Sequence, residues 1–361
     1  MKRWLNANVQ TLTPYQPGKP IEELTRDLGI TDAIKLASNE NPRGPGPAVL
    51  EALARAGRSL SRYPDGSGFR LKQVLSRKLG VLPEMLTLGN GSNDVLELIA
   101  RVALSPGAEG VVSEHAFVVY PLAIVSLGGT LVTVPARAWG SDLDAMAAAI
   151  TERTRILYLA NPNNPTGTWA NEVALRAFLD RVPKHVVVVL DEAYFEYMQD
   201  SSYPNGLELL SDHPNLVVTR TFSKIHGLAA LRVGYGVSSP EIADLMNRVR
   251  QPFNVSSAAL ECAEAAVSDT GFVRTSRELN LAGRAALCKG FVRLNIPYIP
   301  SGGNFVTIEL SRDATATYEA LLARGVIVRT IAGYGMPHHL RVTVGLPEEN
   351  ERFLGTLADV L

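Results

Sequence analysis

Two cysteines in 361 residues are too few for a disulfide framework. Cys262 and Cys288 sit in alanine-rich, helix-like sequence with no CxxC pair and no histidine cluster nearby, so they read as buried thiols and no metal site is expected. An excess of either charge is also missing. The formal net charge is -1, which leaves no global field to attract nucleic acid or an anionic membrane, and neither partner is expected. No run approaches the roughly 18 unbroken apolar residues of a membrane-spanning helix. The opening stretch, MKRWLNANVQTLTPYQPGKP, is basic but lacks the apolar core of a secretory signal, so a cytoplasmic location is expected. Lysine is scarce too, with eight against twenty-seven arginines. Each one therefore invites an explanation, and Lys224 in TRTFSKIHGLAALRVGYG, between a strand-like run and a small-residue turn, invites it most.

What is present describes an α/β chain long enough for two domains. RILYLA (155–160), HVVVVL (185–190) and NLVVT (215–219) are β-branched runs that read as buried strands. Between the first two, NEVALRAFLDRV (171–182) places Val173, Leu175 or Leu179, and Val182 on one helical face. EMLTLGNGSNDVLELIARVAL passes from a short strand through a glycine turn into a helix, with Val95, Leu96, Ile99 and Val102 at helical spacing. This alternation predicts a mostly parallel central sheet covered by helices. The last third differs: RTSRELNLAGRAALCKGFVRL predicts a long polar-faced helix, and NFVTIEL and HHLRVTVG predict half-exposed strands, as in a smaller α+β domain. The expected division is an N-terminal arm (1–30), a large domain (31–250) and a small C-terminal domain (251–361), with RQPFNVSS (250–257) as the hinge.

Each predicted central strand runs directly into a polar cluster: LYLA into NPNNPTG (161–167), VVVVL into DEAY (191–194), and LVVT into RTFSK (220–224). In open α/β sheets ligands bind beyond the carboxyl ends of the strands, so the three clusters are expected to face one crevice. Asp191 would be a carboxylate at the rim of an apolar strand, which calls either for a cationic partner or for a role as the cap of a following helix. GNGSND (89–94) precedes a helix, and free N–H groups at such a start cradle phosphate; neither GxGxxG nor GxxxxGK[ST] occurs. Arg232 can add a two-pronged charge to the same phosphate, and Thr221 and Ser223 hydroxyls. Phe117, in HAFVVY, either packs in the core or stacks on a planar ring. A pyridine ring bearing a phosphate and an aldehyde would satisfy all these groups, with Lys224 condensing on the aldehyde and Asp191 pairing with the ring nitrogen.

On these residues the chain resembles a known family. NPNNPTG, DEAY, TFSKxxGLAxLRVGY and LRVTVG are similar to motifs of the fold-type I, pyridoxal-phosphate-dependent aminotransferases. PYQPGKPIEEL, KLASNENPRGPGP, RYPDG and YGMPHHLRVTVGLPEEN resemble more narrowly the histidinol-phosphate aminotransferase family, and the likeness runs from about residue 14 to 353. It implies pyridoxal 5′-phosphate as cofactor, with Lys224 as its anchor and proton carrier and Asp191 opposite the pyridinium. It further implies that Asn164 and Tyr194 donate to the ring hydroxyl, that Phe117 lies on the ring, and that Ser92, Asn93, Thr221, Ser223 and Arg232 surround the phosphate. Tyr63 of RYPDG would reach that phosphate from a neighbouring subunit, which implies a homodimer. Arg341, Arg329 and Tyr15 would meet the anionic end of the substrate. The family usually has alanine and tyrosine after the lysine, where this chain has Ile225 and His226; His226 reads as a packed residue near the site.

The activity implied is transamination between L-histidinol phosphate and 2-oxoglutarate, giving imidazole acetol phosphate and glutamate in histidine biosynthesis. Three other readings share the motifs: a broad aromatic amino-acid aminotransferase, a threonine-phosphate-type decarboxylase, and a non-enzymatic aminotransferase-like sensor domain. The last would bring a basic DNA-binding segment, and none is seen before residue 30.

Overall fold

The computed structural model describes residues 4–361. In chain order the strands are β1 (Ile34–Lys35), β2 (Leu86–Gly89), β3 (Glu109–Ser113), β4 (Thr130–Val134), β5 (Thr154–Ala160), β6 (Val187–Asp191), β7 (Leu216–Thr221), β8 (Gly234–Val237), β9 (Tyr298–Ile299), β10 (Phe305–Glu309), β11 (Val326–Ile327), β12 (Arg329–Thr330) and β13 (His339–Thr343). A seven-stranded sheet has the order β2-β8-β7-β6-β5-β3-β4. All its pairings are parallel except those of β8, which runs antiparallel to both neighbours. The predicted β-branched runs are its centre, where β6 and β7 carry valine and leucine on both faces. Helices cover those faces, which is why the runs are continuous rather than alternating.

Strand order reverses between β3 and β5: the chain steps outward from β3 to β4, then returns to place β5 on the other side of β3. Loops leaving β3 and β5 therefore diverge and open a crevice at their carboxyl ends. The fold is that of a mixed α/β protein with a large central sheet and a smaller sheet, β12-β13-β10-β9, antiparallel throughout. One pairing joins distant parts of the chain, β1 parallel to β11.

Three sequence expectations change. Val173 does not join the buried face of its helix, Glu172–Leu179; it is 78% exposed, and Leu175, Phe178 and Leu179 pack inward instead. Strands β10 and β13 are buried nearly throughout rather than half-exposed. One face packs on helices including Thr270–Arg293, and the other presses against loops of the large sheet, where the Thr307 hydroxyl donates to the Pro165 carbonyl. Cys262 is buried as expected, whereas Cys288 is half-buried; both are free. Among the described residues no helix is long and apolar enough to cross a membrane.

Candidate active site

The crevice at the strand ends is a cavity lined by Lys224, Asp191, Asn164, Tyr194, Phe117, Ser92, Asn93, Thr221, Ser223, Arg232, Arg341, Arg329 and Tyr15. Every site residue chosen from the sequence is thus brought together except Tyr63. That ring is 83% exposed and lies outside the cavity, stacked on Phe253 with centroids 4.9 Å apart.

Alternation along the strands explains the polar clusters. Asp191 ends β6 facing the crevice, and the next residue, Glu192, turns to the other side. There it pairs with Arg220 of β7 at 2.7 Å, with both groups almost fully buried and the Phe195 ring 3.5 Å from the guanidinium carbon. This brace fixes the ends of the two strands that carry Asp191 and Thr221. Asp191 accepts hydrogen bonds from the Tyr120 hydroxyl (2.7 Å) and the Thr219 hydroxyl (3.0 Å). Burial pushes its carboxyl above the ordinary value, against the pull of those two donors and of the Lys224 charge.

Lys224 leaves β7 on a tight turn with its amine 3.3 Å from the Ser38 carbonyl. Burial, followed by the charge of Arg341, lowers its pKa to about 8. Arg341 donates to the Asn164 side chain and, at 2.6 Å, to the Ala37 carbonyl, while its Nε is buried without a partner among the described residues. Arg329 donates to the Gln16 carbonyl and lies 5.4 Å from the centre of the Tyr15 ring. The Tyr194 hydroxyl accepts from Asn39 Nδ2 at 2.8 Å, and burial raises its pKa to about 12.

The cradle fits a phosphate. Helix Ser92–Ala103 begins after Gly91 with no side-chain cap, so its first N–H groups are open to a ligand. Gly91 has φ +76°, and a Cβ there would come within 2.5 Å of Arg232 Nη2. Arg232 in turn donates to the Ser223 hydroxyl at 3.2 Å. A lysine, a deep carboxylate, a ring wall and this cradle together suit a planar phosphorylated aldehyde with a basic ring nitrogen.

Sequence reasoning missed Tyr120, Asn39 and Tyr334, all of which line the cavity. Tyr120 had a signal, since it stands three residues beyond Phe117 on the same strand-to-helix turn. Ile225 and His226 point away from the cavity: Ile225 packs with Tyr194 and Phe305, and His226 lies against Phe222 at 5.0 Å. His226 Nδ1 has no partner among the described residues, and burial lowers its pKa to about 4.

The chain belongs to the class I and II aminotransferases, whose family model matches residues 31–357. A relative from Pseudomonas aeruginosa named histidinol-phosphate aminotransferase 2 is 56% identical over 355 residues, covering 98% of this chain and 96% of that protein. One from Nitrosococcus oceani, named histidinol-phosphate aminotransferase 1, is 54% identical with the same coverage. Among solved structures, the histidinol-phosphate aminotransferase of Sinorhizobium meliloti in complex with pyridoxal-5′-phosphate superposes with a TM-score of 0.91 at 30% identity, covering 99% of this chain and 97% of that one. The aspartate aminotransferase of Thermus thermophilus with maleate gives 0.85 at 25% identity, covering 99% and 100%.

Proposed function

We propose that this chain is a pyridoxal 5′-phosphate-dependent aminotransferase that moves the amino group of L-histidinol phosphate to 2-oxoglutarate, giving imidazole acetol phosphate and glutamate in histidine biosynthesis, as a cytoplasmic homodimer. The observation that carries this reading is the cavity, which gathers a depressed lysine, a buried carboxylate, an open helix start and three guanidinium groups. Identity of 50–56% with relatives named for the reaction supports it.

Bound there, the cofactor supplies an aldehyde carbon and an electron-accepting ring. This chain's residues hold it and move the protons. Lys224 Nζ would hold the aldehyde carbon; once free, it would carry the proton from the substrate's α-carbon to the former aldehyde carbon, a role that its lowered pKa suits. Asp191, steadied by Tyr120 and Thr219, would keep a proton on the ring nitrogen. Asn164 and Tyr194 would hold the ring hydroxyl, and Phe117 would cover the ring. The N–H groups of Ser92 and Asn93, with Thr221, Ser223, Arg232 and the partner subunit's Tyr63, would hold the phosphate. Arg341, Arg329 and Tyr15 meet the substrate's anion. A guanidinium fork accepts a phosphate ester in one half-reaction and a carboxylate in the other. The units expected from the sequence are the arm (1–30), the large domain (31–250) and the small domain (251–361), the last two joined by the pairing of β1 with β11.

The test has two arms. Borohydride reduction of the loaded protein should attach the cofactor to the TFSK peptide at Lys224, and a label elsewhere overturns the anchor. Single-turnover assays should show histidinol phosphate converted faster than phenylalanine or threonine phosphate. Equal rates with phenylalanine would replace this reading with the broader aromatic one, and loss of carbon dioxide from threonine phosphate with the decarboxylase.

A further inference from the structure

Beside Tyr334, which lines the cavity, lies a contact that the proposed chemistry does not use. Arg137 and Gly140 pair as a β-bridge around a two-residue turn, and the residues between them, Ala138 and Trp139, have φ of +48° and +65°. Such a turn favours glycine or asparagine, and a bulky side chain persists there only when its surroundings hold it. Trp139 is held from two sides. From the large sheet's loops, His115, itself at φ +58°, lies 5.6 Å away by ring centroids, and the Thr168 hydroxyl donates to the Trp139 carbonyl at 3.1 Å. From the small sheet's side, the His339 ring meets the indole edge-on at 4.8 Å, and Ile299, Ile331 and Met336 form the apolar seat. A hydrogen bond runs beside this contact, since His115 Nδ1 lies 2.6 Å from the Tyr334 carbonyl and donates to it.

Both ends of the contact connect directly to the site. His115 stands two residues before Phe117. His339 stands two before Arg341 on β13, on the same face of the strand. Tyr334 itself lines the cavity. Strain in the turn is thus maintained by a junction between the two sheets, next to the guanidinium assigned to the substrate anion.

We propose that Trp139 is a positioning residue: a clasp that holds the small sheet, and with it Arg341 and Tyr334, in the substrate-competent arrangement before substrate binds. The inference rests on the reading of Arg341 as the anion anchor. Its consequence is specific. One conformational equilibrium would serve both half-reactions, so loosening the clasp divides the competent fraction by one factor and multiplies the KM of both substrates by that factor. Saturating substrate restores the competent state, so kcat stays near its original value.

Trp139→Gly is the suitable variant, because glycine removes the indole while accepting the turn's positive φ. Expected are KM values for histidinol phosphate and 2-oxoglutarate that rise by a common factor of about ten or more, kcat within about twofold, and unchanged affinity of the cofactor-free protein for pyridoxal phosphate. Trp139→Phe, which keeps an aromatic edge against His339, should recover most of the loss. His339→Ala should raise both KM values equally, and the double variant should add little to either single one; this arm stands even if Trp139→Gly folds poorly. Wild-type KM values in both single variants would overturn the clasp. So would a rise confined to one substrate, which would mean direct substrate contact, or a parallel loss of cofactor affinity, which would mean general loosening. Arg341→Lys separates the two readings. Wild-type kinetics there would remove the anion anchor itself, whereas an impaired Arg341→Lys beside a normal Trp139→Gly and His339→Ala would remove the clasp alone.

Discussion

A buried amine beside guanidinium groups gives up its proton readily, and in Lys224 that tendency is measurable apart from activity. Its pKa falls from 10.5 to about 8, first through burial and then through the charge of Arg341. Between those two values the unfolded chain binds more protons at this position than the folded one, so the contribution of Lys224 to stability must rise with pH across that window. Chemical denaturation of the cofactor-free protein should therefore show the wild type gaining on Lys224→Met as pH goes from about 8 to 10.5. A constant difference between the two would mean that the amine is solvated. His226 behaves in parallel at lower pH: burial takes it to about 4, so stability is lost as pH falls from 6.5 to about 4, where the unfolded chain binds a proton that the folded ring does not. Single residues at strand ends were legible because an unpaired charge at the end of an apolar run demands a reason. Their supports were not. Tyr120 reaches Asp191 across 71 positions and Asn39 reaches Tyr194 across 155, and no local pattern encodes such a pairing.

At the level of elements, composition predicted the central strands well and erred where burial comes from both sides. The pattern of β10 and β13 looks half-exposed because threonine and arginine alternate with valine and isoleucine. Those polar residues are nevertheless buried, since each has a partner across the junction with the large sheet, Thr307 at Pro165 and Arg341 at Asn164. Val173 failed for the opposite reason, because an apolar residue in a helix's first turn can stand in solvent at little cost. The cradle shows how tightly two elements meet at the proposed cofactor. A Cβ on Gly234 would lie 2.4 Å from the Ser92 backbone nitrogen, so strand β8 touches the start of helix Ser92–Ala103 with no room for a methyl group. Gly234→Ala must displace that helix start. Titration of the cofactor-free variant should show pyridoxal phosphate bound at least about tenfold more weakly, the loss of roughly one charge-assisted hydrogen bond. Gly91→Ala meets only the flexible end of Arg232, but adds an alanine at φ +76°; it should weaken binding as well. Wild-type affinity in Gly234→Ala would detach the cradle from the phosphate.

On the scale of the whole molecule, a stacked aromatic strip stands open to solvent: Tyr63 is 83% exposed and Phe253 46%. Exposed aromatic surface of this kind suits an interaction face. It is also tied to the cradle: beside Phe253, the Asn254 side chain donates to Asp94 at 2.6 Å, and the same carboxylate oxygen accepts the Asn90 N–H at 2.9 Å. The strip and the proposed phosphate cradle are therefore linked, and a second copy seated on the strip by two-fold symmetry would bring its own strip to the same place. In sequence this was legible only through the resemblance of RYPDG, because residues 63 and 253 lie far apart in the chain and no pattern joins them. Mixing subunits decides between a tyrosine that serves its own site and one that serves its neighbour's. Tyr63→Phe removes a hydroxyl worth roughly 1.5–3 kcal/mol to a bound phosphate, and should lower activity by about tenfold or more; Lys224→Ala should abolish it. If the partner subunit's Tyr63 completes each site, a mixed dimer holds one site with both defects and one with neither. Unfolding and refolding the two variants together in equal amounts makes half of the dimers mixed, each with one intact site of two, so about a quarter of the wild-type activity should return. If Tyr63 serves its own chain, the mixed dimer has one dead site and one impaired site, and no activity is gained over the Tyr63→Phe parent. A mixture that stays at the level of its parents therefore refutes the shared site, provided that mixed dimers are shown to form by differential tagging.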